Sequence, residues 1–189
     1  MALKLDMSKA YNRVEWVCLE KIMEKLSFDV KWRELVRKCV TFITYSIRIN
    51  GKPKGHIVPS RGIRQGDPLS PYLFLLCAEG LSTLVKFANA SDHLGGVAVC
   101  CRGPKLSHQF FANNNLIVCK ATIEECNALQ RILTVYEKAS GQQLNRAKTS
   151  LFFSSNTPIV VKEEIKTIFG AQVIKQHEKY LGLPSLKKL

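Results

Sequence analysis

The sequence predicts an α+β domain in which helices pack on one face of a sheet. Two observations carry this. Short alternating runs are separated by apolar-periodic stretches in the order strand, helices, hairpin, helix, hairpin, helix, strand, helix. No repeat or linker interrupts the 189 residues, a length that suits one domain with a core of its own.

The first run, LKLDM, is apolar at Leu3, Leu5 and Met7 and reads as a strand from Leu3 to Met7. It starts abruptly, which suggests a piece of something longer. Amphipathic helices follow over Val14–Leu26 and Val30–Phe42, each with apolar residues three and four apart. Ile47–Ile49 and His56–Val58, joined through Asn50-Gly51, read as a hairpin, because this dipeptide tolerates the positive φ angles that a tight turn needs. Arg61 to Pro71 (RGIRQGDPLSP) is a loop by composition, and Ser70-Pro71 reads as N-cap and first residue of a helix reaching about Ala90.

Gly95-Gly96 opens a strand over Val97–Cys101, turned by Arg102-Gly103-Pro104. A second hairpin runs from Leu106–Ala112 through Asn113-Asn114 to Leu116–Cys119. Thr122 and Glu125 suggest a capping box for a helix ending at Gly141. Lys148–Phe153 reads as a strand, and Pro158–Phe169 as a helix stopped by Gly170.

Composition narrows the function classes. Lysine and arginine number 28 against 15 acids, a net charge of +13, which favours a polyanionic partner, nucleic acid before membrane. Aspartate occurs only four times, asparagine nine. No apolar run approaches the ~18 residues of a membrane span, and the first residues lack the apolar stretch of a secretory signal. An intracellular location, nuclear or cytoplasmic, is the expectation. The cysteines number seven, without a CxxC, and suit free thiols in a reducing compartment, with Cys18, Cys39, Cys77 and Cys126 on apolar helical faces. Cys100, Cys101 and His108 have poor spacing for a zinc site.

Three segments stand out. Asp6 is a carboxylate inside an apolar strand, out of place unless it meets a cation or a solvated cleft. Gln65-Gly66-Asp67-Pro68 lies ahead of a helix N-terminus, where backbone N–H groups can hold a phosphate. Asn113-Asn114 sits between FFA and LIV. Taken singly, each has an ordinary reading: a strand-end aspartate, a turn feeding a helix, a tight hairpin turn.

Together, KLDMSKAY, RQGDPLSPYLF and FFANN resemble motifs A, B and C of reverse transcriptases, those of LINE-type (non-LTR) retrotransposons in plants above all. YEKASGQQLNRAKTSLFFS resembles the motif D region and YLGLPS the segment after it, so the resemblance spans Leu3 to Ser185. It implies a polymerase palm-like antiparallel sheet with helices on one face, residues 1–189 forming a partial reverse transcriptase domain without the start of the fingers and without a thumb. The partners it implies are an RNA template, a DNA primer and, in an active enzyme, a deoxynucleotide, with Mg²⁺ as cofactor and no membrane.

By the same resemblance, Asp6 is the motif A metal carboxylate and Tyr11 the aromatic under the nucleotide's sugar. Gln65 and Gly66 lie near the nucleotide, and Lys148 near its phosphates. Tyr11 also reads as a core aromatic at a strand-to-helix bend, and Lys148 as a solvated lysine. Motif C departs from the family. Asn113 and Asn114 stand where reverse transcriptases carry two aspartates, and Asn12 stands where motif A commonly has a third. A carboxylate brings a full charge and up to two oxygens to a hard cation, whereas an amide brings one neutral carbonyl. The expectation is a reverse transcriptase-like domain that has lost polymerase activity. Two alternatives share these features: a nucleic-acid-binding module retained by the host, and a residually active RNA-directed DNA polymerase.

Overall fold

The computed structural model describes residues 1–98, 103, 105–111 and 114–174. Among the described residues five helices and nine strands alternate in nearly the predicted order. The central sheet has five strands. Strand β1 (Ala2–Asp6) lies in its middle, with β7 (Asn114–Val118) and then β6 (His108–Phe111) on one side and β8 (Ser150–Phe152) and then β9 (Gln172–Val173) on the other. All neighbours are antiparallel except β8 and β9, which run parallel. The strict alternation of β1 explains its place. Leu3 and Leu5 are fully buried, while Ala2, Lys4 and Asp6 are half-buried. Leu3 is paired with Ile117 on one side and Leu151 on the other, so a one-residue slip would turn this whole buried row to the open face.

Helices α1 (Trp16–Lys25), α2 (Val30–Thr41), α3 (Ser70–Ala90), α4 (Ile123–Ser140) and α5 (Ile159–Phe169) supply the rest of the core. Helix α3 packs on α1, α4 and β6, and buries Leu73, Phe74, Cys77, Leu81 and Val85. Its 21 residues are long and apolar enough to cross a membrane by length and composition, contrary to the expectation from its short uninterrupted apolar runs. Its apolarity is accounted for here by a central position between other helices. In α4 the buried Leu129 and Leu133 join the same cluster, and the Tyr136 hydroxyl donates to the Cys77 carbonyl of α3 (3.2 Å). Burial raises the Tyr136 pKa and pushes the Cys77 thiol up to about 12.

The local signals that held are those with a backbone requirement. Asn50 and Gly51 both have positive φ (49° and 78°) and join β2 (Tyr45–Ile49) to β3 (Lys52–Ile57). Gly141 and Gly170 end α4 and α5 in the left-handed conformation. Others differ. Ser70 is not an N-cap; it is the first helical residue and buried, and the Asp67 carboxylate accepts from the Leu69 N–H (2.8 Å) one turn earlier. Only half of the capping box forms. Thr122 Oγ1 accepts from the Glu125 N–H (3.4 Å), but the Glu125 carboxylate turns back to the Lys120 N–H (3.0 Å). The predicted strand Leu106–Ala112 is broken at Ser107, since β5 (Lys105–Leu106) pairs with β4 (Val97–Ala98) and only β6 joins the main sheet.

Cys77, Cys119 and Cys126 are buried as predicted and Cys18 is half-buried; Cys39 is exposed, at the border of the buried stripe of Val36 and Val40 on α2. The Cys100–Cys101 pair and YLGLPS lie outside the described residues.

Candidate functional site

The open face of the sheet ends at Asp6. This is the last residue of β1, half-buried, and its register partner on β7 is Asn114. Asn114 is also paired with Phe111 of β6, so it is the first residue of a strand and not the second residue of a turn as the Asn-Asn pair suggested. The ladder pairing with Asp6 on one side and Phe111 on the other draws it into the sheet. Asn113 lies outside the described residues, immediately before this position.

A third segment meets Asp6 from the β8 side. The Asp6 carbonyl accepts from the Asn145 N–H (2.8 Å), and the Asn145 carbonyl accepts from the Lys148 N–H (3.0 Å). Met7 bridges Leu144, and Ser8 N–H donates to the Gln143 carbonyl (2.8 Å). Arg146 anchors the same turn by donating to the Phe169 carbonyl at the end of α5 (2.8 Å). Lys148 is exposed in this turn, two residues before β8 begins, so the predicted strand starts later than Lys148. Asn145 was not singled out in the sequence; its contribution is a backbone bond between distant segments, which no local pattern reports.

Tyr11 connects Asp6 to the loop ahead of α3. Its ring stacks on Phe74 (centroids 4.9 Å apart, planes 12° from parallel), and its carbonyl accepts from the Ile63 N–H (2.9 Å). The Gly62 N–H donates to the Val14 carbonyl (2.8 Å), and Trp16 Nε1 donates to the Gly62 carbonyl (2.7 Å). Gly62 has φ +92°, and a Cβ there would lie 2.8 Å from the Asn12 carbonyl oxygen, so only glycine admits this approach. Gln65 and Gly66 then form an exposed turn closed by Asp67 N–H to the Arg64 carbonyl (3.3 Å), with Gly66 at φ +88° as a type II turn requires at that position. Asp6, Asn114 and the Asn145–Lys148 turn are thus brought together directly, and Gln65 and Gly66 are tied in through Tyr11.

One further group escaped the sequence reading. Asn115, next to Asn114, is buried on the core side of β7 opposite Leu5, and its Oδ1 has no hydrogen-bond partner among the described residues. Buried Gln142 donates from Nε2 to the Ala10 carbonyl (3.0 Å), but among the described residues its Oε1 is unpartnered, as is Thr149 Oγ1. A run of three asparagines was the available signal for Asn115.

The sequence profile of the family described as reverse transcriptase (RNA-dependent DNA polymerase) matches residues 1–184. The chain belongs to the reverse transcriptase family. Among curated relatives it is 26% identical over 146 residues to the retrovirus-related Pol polyprotein from type-1 retrotransposable element R2 of Popillia japonica, covering 77% of this chain and 23% of that protein. It is 52% identical over 66 residues to an uncharacterized mitochondrial protein of Arabidopsis thaliana, covering 35% of this chain and 54% of the relative. This is a reverse transcriptase domain of the non-LTR retrotransposon type, and it spans about a half and a quarter of these two relatives. The structure of telomerase from Candida albicans in complex with a fragment of telomeric RNA superposes with a TM-score of 0.61 at 16% identity, over 83% of this chain and 27% of that one. That likeness shows the fold: an α+β, palm-like sheet with helices.

Reverse transcriptases use divalent metal ions. The donors at the end of β1 fit such ions poorly. Asp6 is a single carboxylate whose register partner is an asparagine, and among the described residues no three histidine, cysteine, aspartate or glutamate side chains cluster. A hard cation that dehydrates reluctantly needs anionic oxygens, which an amide does not replace.

Proposed function

We propose that this domain is a reverse transcriptase palm that no longer polymerises. The observation that carries the reading is the last pair of the β1–β7 ladder, where Asp6 stands opposite Asn114 with Asn113 just before it in the chain. In this reading Asp6 is the surviving metal carboxylate, and Asn113 and Asn114 occupy the places of the two lost ones. Tyr11 lies beneath the nucleotide's sugar, Gln65 and Gly66 beside the nucleotide, and Lys148 near its phosphates. The hydrogen bonds from the Asp6–Tyr11 segment to Asn145, Gln143 and Ile63 support this grouping, because they hold the segments in one neighbourhood. Residues 1–189 are then the palm part of a longer polymerase whose partners are an RNA template and a DNA primer.

The energetic argument is one of scale. A deficit of ~4 kcal/mol in transition-state stabilisation slows a reaction about a thousandfold, and polymerase chemistry relies on metal ions held by carboxylates. Replacing two of three anionic donors with amides removes more than one such interaction.

Primer extension on an RNA template, with Mg²⁺ and separately with Mn²⁺, tests the reading. No incorporation above background is expected from this chain. Template-directed incorporation that is abolished by Asp6→Asn overturns it.

A further inference from the structure

The positive charge of this chain is concentrated. Between Glu34 and Asp67 every charged side chain is a lysine or an arginine, seven in all. The structure puts the middle of that stretch outermost. Every residue of β2 and β3 is exposed, and the two strands pack chiefly on each other. Two-stranded ribbons are marginally stable alone in water, so this one is costly to leave bare.

Its two sides can be read from the pairing. Tyr45 stands opposite Ile57, Ile47 opposite Lys54, and Ile49 opposite Lys52, and directly opposed residues share a side. One side therefore carries an aromatic ring, three isoleucines and two lysine stems. Arg48, opposite Pro53, points the other way. Gly55 (φ +76°) lies within the shift of register, with nothing within 4 Å of where a Cβ would be. Among the described residues none of Arg48, Lys52 and Lys54 is ion-paired. A further aromatic leads into the hairpin at the end of α2: its C-cap Phe42 is 79% exposed, three residues before Tyr45 at 42%.

Unpaired cations interleaved with exposed rings, and no carboxylate among them, match a flexible polyanion with accessible π-faces. Phosphates meet the lysines and arginine, and unstacked bases meet the rings. A duplex offers the phosphates but hides the base faces. We propose that the β2–β3 hairpin, together with the end of α2, is a contact surface for single-stranded RNA, on elements other than the strand end at Asp6. The choice of RNA rests on the reading of this chain as an RNA-dependent polymerase palm.

Anisotropy of a fluorescent 20-nucleotide oligouridine, titrated with the whole chain over a range of salt, tests this. Three variants are compared with wild type: a charge reversal (Arg48→Glu, Lys52→Glu, Lys54→Glu), a charge-keeping triple (Arg48→Lys, Lys52→Arg, Lys54→Arg) and Tyr45→Ala. All four positions are exposed, and circular dichroism establishes that each variant is folded.

Single-strand binding loses a log–log salt slope of about 0.7 for each phosphate contact removed. The reversal should therefore be shallower by about 2 and at least tenfold weaker at low salt, while the charge-keeping triple behaves as wild type. Tyr45→Ala should bind several-fold to about tenfold more weakly with an unchanged slope. A folded reversal with wild-type affinity and slope overturns the proposal and leaves the reading of the palm intact. Duplex RNA bound as tightly as the single strand, or anionic vesicles bound in place of RNA, also overturns it. Wild type that binds no RNA at low salt sinks both.

Discussion

Asp6 and Asn114 are partners in the last pair of the β1–β7 ladder, so the one carboxylate of the β1 end faces an asparagine position across the sheet. In an antiparallel ladder, opposed residues are neighbours on one side of the sheet at about 4.5–5.5 Å between Cβ atoms. Sequence places Asn113 and Asn114 side by side; the fold pairs Asn114 with Asp6.

The close approach of the Arg13–Glu15 segment to the end of α4 makes Gly141 a sensitive position. It ends α4 at φ +72°, and a Cβ there would lie 2.5 Å from the Arg13 carbonyl oxygen and 2.7 Å from Glu15 Cγ. Gly141→Ala therefore adds a backbone clash to a strained φ, and a loss of about 2 kcal/mol or more is expected. Urea unfolding should show a lower midpoint with an unchanged m-value. Gly66→Ala, also at positive φ but with nothing within 4 Å, should cost less.

Asn115 gives a prediction of opposite sign. Its Oδ1 is buried without a partner among the described residues, and leaving such a group unsatisfied costs about 1–3 kcal/mol. Leucine has a similar shape and no polar atom. Asn115→Leu should raise the melting temperature by a few degrees, given about 2–4 °C per kcal/mol in a chain of this size. A lower melting temperature would show that this oxygen is satisfied by bound water or is needed for packing.

His108 couples the outer strand of the sheet to α3. One ring nitrogen is 2.9 Å from Ser82 Oγ on α3 and the other 2.9 Å from Ser107 Oγ. Burial lowers its pKa, the nearby Lys86 ammonium lowers it further, and Glu79 partly opposes them. The folded pKa lies below the unfolded value, so as pH falls through about 6.5 the unfolded state takes up the proton first. The contribution of His108 is complete above that pH and declines below it. Thermal unfolding of wild type and His108→Gln at pH 7.5 and pH 5.5 should show a smaller difference between the two proteins at the lower pH. An equal or larger difference at pH 5.5 would contradict the sign.

Much of this architecture is legible in the sequence because it is local. Asn50-Gly51 fixes a turn by its own φ preferences, Gly141 and Gly170 end helices for the same reason, and the alternation of Leu3 and Leu5 marks a strand with one wet face. The differences arise where a distant partner decides. Asn114 has good turn chemistry, yet pairing with Asp6 and Phe111 makes it a strand residue. Ser70 looks like a cap, but the Tyr72 and Leu73 N–H groups donate to the Leu69 carbonyl and Ser70 is buried as the first helical residue. The parallel pairing of β9 with β8, and the Asn145 bond to the Asp6 carbonyl, join segments that no short pattern connects. The site residues Asp6, Tyr11, Gln65, Gly66 and Lys148 were found through family resemblance, not periodicity. Polar residues at strand ends and turns satisfy ordinary structural roles equally well.

The most direct test of the central claim is divalent-ion binding itself, which needs neither primer nor nucleotide. Mn²⁺ is titrated into this chain, into Asn113→Asp/Asn114→Asp, and into that double variant carrying Asp6→Asn as well, with free ion read by electron paramagnetic resonance. The double variant should bind at least tenfold more tightly than the wild-type chain, and Asp6→Asn should abolish the gain, because the restored carboxylates and Asp6 then form one anionic set. A wild-type chain that already binds Mn²⁺ as tightly as the double variant would contradict the account.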